Sequence, residues 1–200
     1  MKKMLITGFL VFTSLNFIQA QSVIINGDFS DGLNNWTVVQ PTNNNPQNGI
    51  LAQIQFAGEL NVSEAFSVHV GNNSPQSLEQ LVSLSAGIQY DFYADVAGVN
   101  YANGEANEDL GTISLSIGGN SVASISLGEG ISQYGSLTGA YIPSQSGDEL
   151  LELDFTRSYL PSPIDYIGNI SFEPVPEPSV CSLIEVGLFG FGLIYRKLKS

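Results

Sequence analysis

The chain has 200 residues, with 19 acidic side chains against six basic ones and a single cysteine, Cys181. Between Gln21 and Glu173 one basic residue, Arg157, stands against 17 Asp and Glu, a formal charge of −16. That stretch offers no basic footprint for nucleic acid or an anionic membrane surface. It also has no cysteine to close a disulfide, so its stability rests on packing.

In chain order, Lys2 and Lys3 precede an apolar stretch from Met4 to Leu15, and Ala20 stands before the polar pair Gln21-Ser22. A basic start, a short apolar run and a small residue before a cut are the parts of a secretory signal peptide. Residues 1–20 are therefore set apart from the fold. Residues 21–173 make one domain, long enough to bury a sizeable core. No Pro- or Ser-rich linker divides them.

The domain reads as strands throughout. Ala52, Ile54 and Phe56 alternate with Gln53 and Gln55; Ile113, Leu115 and Ile117 alternate with Ser114 and Ser116. Leu151, Leu153 and Phe155 alternate with Glu152, Asp154 and Thr156, and Tyr90, Phe92, Ala94 and Val96 leave Asp91 and Asp95 on the outward side. A period of two marks strands with one wet face. Further candidates are Val23–Asn26, Trp36–Val39, Ala65–Val70, Leu78–Leu84, Val122–Leu127, Gly135–Ile142 and Ile164–Phe172. Gly119-Asn120 suits a two-residue hairpin. Turn clusters run over Pro41–Gly49, Gly71–Pro75, Asn100–Asp109 and Ser144–Asp148. About ten strands at this spacing predict an all-β fold, a jelly-roll β-sandwich.

Asn26-Gly27-Asp28-Phe29 followed by Trp36 resembles the opening of galactose-binding-like, carbohydrate-binding-module sandwiches. Gln80 to Leu84, then Ala86-Gly87 and Tyr90, resemble a strand–turn–strand of that family. Leu153-Asp154-Phe155 and Asp165-Tyr166-Ile167-Gly168-Asn169-Ile170 resemble its closing strands. Ser30 stands where that family usually has Glu. The resemblance implies a sugar-binding sandwich and a structural calcium joining the first and last strands. The matching candidates are Asp28 and Asp31 with Asp165. Hard carboxylate oxygens suit that ion.

The residues offer little for catalysis. His69 is the sole histidine, which leaves Ser–His, Cys–His and zinc sites without partners. Paired carboxylates suffice for glycoside hydrolysis, but none stands in a recognisable setting. Trp36, the only Trp, sits in an apolar strand and reads as core, whereas Tyr101, Tyr134 and Tyr159 lie in or beside loops and read as sugar platforms.

The chain closes with Pro176, Glu177 and Pro178, a mostly apolar run from Val180 to Tyr195, and a basic end with Arg196, Lys197 and Lys199. Prolines around Glu177 keep the spacer extended. The run has a transmembrane composition, and the basic end prefers the cytoplasmic side. Its 16 residues at ~1.5 Å each reach about 24 Å, short of a ~30 Å core, and Glu185 lies inside it. The three parts in order resemble the PEP-CTERM sorting signal of exopolysaccharide-producing Gram-negative bacteria. The resemblance implies that Pro174–Ser200 is a sorting segment with one transmembrane helix, recognised by an exosortase and removed. It implies export, a transient inner-membrane anchor, and then the cell surface or extracellular space. The reading is a non-catalytic surface or matrix protein associated with extracellular polysaccharide. A glycan-active enzyme with unrecognised acidic residues and a purely structural surface protein stay open beside it.

Overall fold

The computed structural model describes residues 21–39, 52–57, 60, 62–68, 76–100, 109–157 and 163–176. Ten strands appear in it: β1 (Thr37–Val39), β2 (Ala52–Ala57), β3 (Val62–Val68), β4 (Gln76–Leu84), β5 (Tyr90–Asn100), β6 (Thr112–Ile117), β7 (Asn120–Ser126), β8 (Ser132–Tyr141), β9 (Gly147–Thr156) and β10 (Pro163–Pro174). They form two antiparallel five-stranded sheets, ordered β1-β4-β9-β6-β7 and β2-β3-β10-β5-β8. The expected β-sandwich is therefore present. The signal peptide, His69 and the C-terminal run lie outside the described residues. No helix among the described residues is long and apolar enough to cross a membrane.

The alternation seen in the sequence is the alternation of burial. Leu78, Val82 and Leu84 of β4, Ile113, Leu115 and Ile117 of β6, and Leu151, Leu153 and Phe155 of β9 point inward and are buried. They meet Phe66 and Val68 of β3, Phe92 and Val96 of β5, and Ile167 and Phe172 of β10 from the other sheet. The hairpin joining β6 to β7 turns one residue earlier than the sequence suggested. Gly118 and Gly119 have φ of 56° and 77°, and Ile117 pairs with Asn120. Positive φ at both central residues is what a type I′ turn requires.

Val23–Asn26 departs from expectation. It joins neither sheet, although Val23 N–H donates to Phe172 C=O at 2.8 Å. From there to Trp36 the chain is a turn-rich loop, because side-chain amides compete for its backbone groups. Asn26, with φ of 58°, donates through Nδ2 to Gly32 and Asn34 carbonyls, both at 3.0 Å, and accepts from Asp31 N–H at 3.0 Å. Trp36 Nε1 donates to the Asn26 carbonyl at 3.0 Å. Gly27, the residue after Asn26 in this knot, lies so close to β10 that a Cβ would sit 2.0 Å from Ile170 O. The loop's apolar anchor is fully buried Phe29. Its ring lies 5.7 Å from Trp36 and 6.4 Å from Phe66, and Phe66 lies 5.5 Å from Phe155. This aromatic chain ties the loop to both sheets.

Gln80 ties it a second time. Its Oε1 accepts from Ile25 N–H at 2.8 Å, and its Nε2 donates to the carbonyls of Ile25 at 2.9 Å and Asn35 at 3.1 Å.

A buried ion pair stands at the far end of the core. Arg157, just past β9, and Asp165 of β10 are joined at 2.8 Å with side chains 0% exposed. The same guanidinium donates to Pro163 C=O at 2.8 Å and Leu110 C=O at 3.2 Å. Burial pushes the Asp165 carboxyl up to about 7; Arg157 opposes the shift and Asp109 adds to it.

Two outcomes follow. Gln80→Ala removes three bonds at once and should lower stability by about 2 kcal/mol in urea unfolding, with Gln80→Glu failing to restore it because both donors are lost. The unfolded chain releases the Asp165 proton at a pH of about 3.9, whereas the folded state holds it to about 7. Protonation therefore favours folding, so the contribution is full below about 4 and is lost as pH rises through about 7. The wild type should lose stability relative to Asp165→Asn across that window; a pH-independent difference between their urea midpoints would contradict this.

Candidate functional site

The outer face of the β2-β3-β10-β5-β8 sheet carries exposed aromatic and polar side chains at one end. On β5 the inward residues Phe92, Ala94 and Val96 alternate with Asp91, Tyr93 and Asp95, which face outward. Tyr93 is 40% exposed, and Tyr134 on neighbouring β8 is 53% exposed. Tyr134 pairs with Ala97, four residues along β5 from Tyr93, so the two aromatics are staggered by about 13 Å at ~3.3 Å per residue.

A polar row lies between the two rings. Asp95 pairs with Ser136; its Oδ1 accepts from the Tyr93 hydroxyl, and its Oδ2 accepts from Asn169 Nδ2 at 2.7 Å. Ser136 Oγ donates to the Tyr93 oxygen at 3.4 Å. Asn169 reaches Asp95 because β10 shifts register between Gly168 and Ser171 and Asn169 takes φ of 50°. Such a bulge re-aims a side chain that regular pairing would place elsewhere. Along the same face, Leu60, Val62, Ala65, Ala97, Val99 and Tyr166 form a separate buried cluster. The face is thus apolar and covered at one end, and polar with exposed rings at the other. Tyrosine faces offer apolar contact, and the carboxylate, amide and hydroxyl between them are oriented hydrogen-bonding groups. This chemistry suits a neutral polyhydroxylated ligand. A concavity of about 620 Å³ lies over β1, β4 and β9 on the other sheet.

The candidate calcium ligands are not brought together. Asp28 is exposed, and its Oδ1 accepts from Ser30 N–H at 3.2 Å and Ser30 Oγ at 2.9 Å. Asp31 Oδ2 accepts from Asn34 Nδ2 at 2.6 Å. Asp165 points into the core against Arg157, five positions along β10 from Ile170, whose N–H meets the Gly27 carbonyl. Five positions are roughly 15 Å of strand. Among the described residues no three His, Cys, Asp or Glu side chains converge as metal ligands. Asp28 and Asp31 thus stay with the loop, held by its own amides and hydroxyl, while Asp165 lies apart against a guanidinium, so the three are not brought together as one ligand set.

Trp36 is core, as its place in the sequence suggested, at 7% exposure. Of the candidate platforms, Tyr134 is exposed, and Tyr101 and Tyr159 lie outside the described residues. In the sorting motif Pro176 is the last described residue; Glu177, Pro178, Arg196 and Lys197 lie beyond it. Tyr93 and Asn169 are not among the site candidates read from the sequence. The β5 alternation that puts Asp91 and Asp95 outward also puts Tyr93 there, whereas no sequence signal marks the bulge that turns Asn169.

No family model matches the chain, and no curated protein matches it in sequence. Solved structures do resemble its fold. One is the carbohydrate-binding module TmCBM61 in complex with β-1,4-galactotriose, with a TM-score of 0.50 at 16% identity, covering 78% of this chain and 99% of that one. Another is the Stig cyclase Fisc from Fischerella sp. TAU bound to an indole compound, at 0.54 and 15% identity, covering 79% and 99%. A third is a protein from Bacteroides thetaiotaomicron assigned to sugar binding, at 0.53 and 9% identity, covering 78% and 100%. At these identities the likeness concerns the fold: the chain is built like carbohydrate-binding modules, and equally like a cyclase.

Proposed function

We propose that this protein is an exported, non-catalytic carbohydrate-binding module whose site is the outer face formed by β5, β8 and β10. The observation that carries this is the pair of exposed rings, Tyr93 and Tyr134, flanking Asp95, Asn169 and Ser136. Sugar rings have an apolar face to lay on tyrosine and hydroxyls to meet the row between. The likeness to TmCBM61 and to the Bacteroides protein supports the reading at the level of fold. Fold alone does not fix function, and a cyclase shares it. Asp95 is already engaged by Tyr93 and Asn169, an arrangement that positions a carboxylate as an acceptor.

The binding partner is neutral polysaccharide, in keeping with a domain of formal charge −16 that repels anionic chains. Residues 174–200 are a temporary membrane anchor, released by an exosortase-type enzyme at the Pro176-Glu177-Pro178 spacer. The support is the order of spacer, apolar run and basic end. The protein then works at the cell surface or outside the cell.

A glycan array probed with the full-length protein, including β-1,4-galacto-oligosaccharides, tests the binding. Tyr134→Ala should weaken any neutral oligosaccharide by about tenfold, or ~1.4 kcal/mol, while leaving the urea midpoint unchanged. Binding that survives both Tyr134→Ala and Tyr93→Ala would move the site elsewhere. For the tail, intact mass of the protein secreted by a host with the sorting enzyme should lack the C-terminal residues. Secreted protein still ending at Ser200 would refute release.

A further inference from the structure

The concavity over β1, β4 and β9 is separate from the proposed sugar face, because it lies on the opposite sheet. Its volume of about 620 Å³ falls within the ~300–1,000 Å³ typical of small-molecule sites. Its walls are apolar where a solvated strand face is ordinarily polar. Ile25 is 58% exposed, Leu81 67% and Leu150 37%. Leu81 and Leu150 stand directly opposite each other across β4 and β9, and the Trp36 edge lines the same hollow. Clustered exposed apolar side chains of this kind mark a binding surface rather than scatter.

One side of the hollow is acidic. Glu79 lines it, Glu152 stands directly opposite Glu79 on β9, and Asp154 follows two residues on, opposite Ser77. Like charges directly across a strand pair destabilise it. Burial, then Glu152, then Asp154 push the Glu79 carboxyl upward. Arg157, the sole Lys or Arg in 21–173, does not offset this, because it is buried against Asp165. The neighbouring polar group Gln80 is committed to Ile25 and Asn35. Charge complementarity therefore calls for a cation, and the leucine and isoleucine walls call for a hydrocarbon body attached to it.

We propose that this hollow binds a small organic cation, an ammonium group on a compact apolar body, with the body against Ile25, Leu81 and Leu150 and the ammonium at Glu79.

Trp36 is the only tryptophan and lines the hollow, so its fluorescence reports occupancy. Full-length protein titrated with cyclohexylmethylammonium should show a saturable change. The neutral isostere cyclohexylmethanol should bind at least tenfold more weakly. Glu79→Gln should weaken the ammonium by about tenfold and leave the alcohol unchanged, and Leu81→Ser should weaken both. Glu79→Asp, with a matching circular dichroism spectrum, separates charge loss from misfolding and should retain most of the affinity. Equal binding of amine and alcohol, an unchanged titration in Glu79→Gln, or no saturable change at all would overturn the proposal. So would a response to oligolysine but not to the small amine, which would mean diffuse surface electrostatics. Tyr134→Ala should leave this titration unaltered, so failure of the sugar-face reading does not carry over to it.

Discussion

The Gln80 side-chain amide enters the space beneath the opening loop and meets both ends of it, accepting from Ile25 and donating to Ile25 and Asn35. The loop has almost no strand pairing of its own, so these bonds and the Asn26 knot hold a dozen residues in a single conformation. Much else depends on that conformation. Phe29 reaches the core only if the loop turns back at Asn26, and its ring begins the aromatic chain that crosses to Phe66 and Phe155. Trp36, held by its own bond to the Asn26 carbonyl, leads directly into β1. Two neutral amides thus organise the loop, and neutral groups lose less on leaving water than ions do.

The two outer faces have diverged in character. One presents rings around a hydrogen-bonded carboxylate; the other presents aliphatic walls beside acids that oppose one another across a strand pair. The same period-two pattern builds both, because the pattern dictates only which side is wet. What distinguishes them is register. Pairing sets Asp95 beside Ser136 on one sheet, and Glu79 beside Glu152 on the other.

Strand content was therefore legible wherever one face is buried. The inward residues of β5, β6 and β9 could be named from alternation alone, and Gln80, Gly87 and Tyr90 occupy positions with clear work. Gly87, at φ of 76°, donates to Pro143, and the Tyr90 hydroxyl accepts from Ser85 N–H. Val23–Asn26 misled because its apolar residues fit a strand, while the amide chemistry of Asn26 was decisive. The split of Asp28 and Asp31 from Asp165 was hidden too. It depends on which way β10 faces at residue 165 and on a guanidinium eight residues earlier in the chain. Pairing partners across sheets are long-range facts, and single-sequence periodicity carries none of them.

The isolation of Arg157 has a practical consequence for handling the protein. Trypsin cuts after lysine or arginine, and between Gln21 and Glu173 this residue is the only such point. Its side chain is shut inside the core and bound by three acceptors. The folded domain thus withholds its sole cleavage site, and a trypsin cut there becomes a direct clock for how often the far end of the sandwich opens.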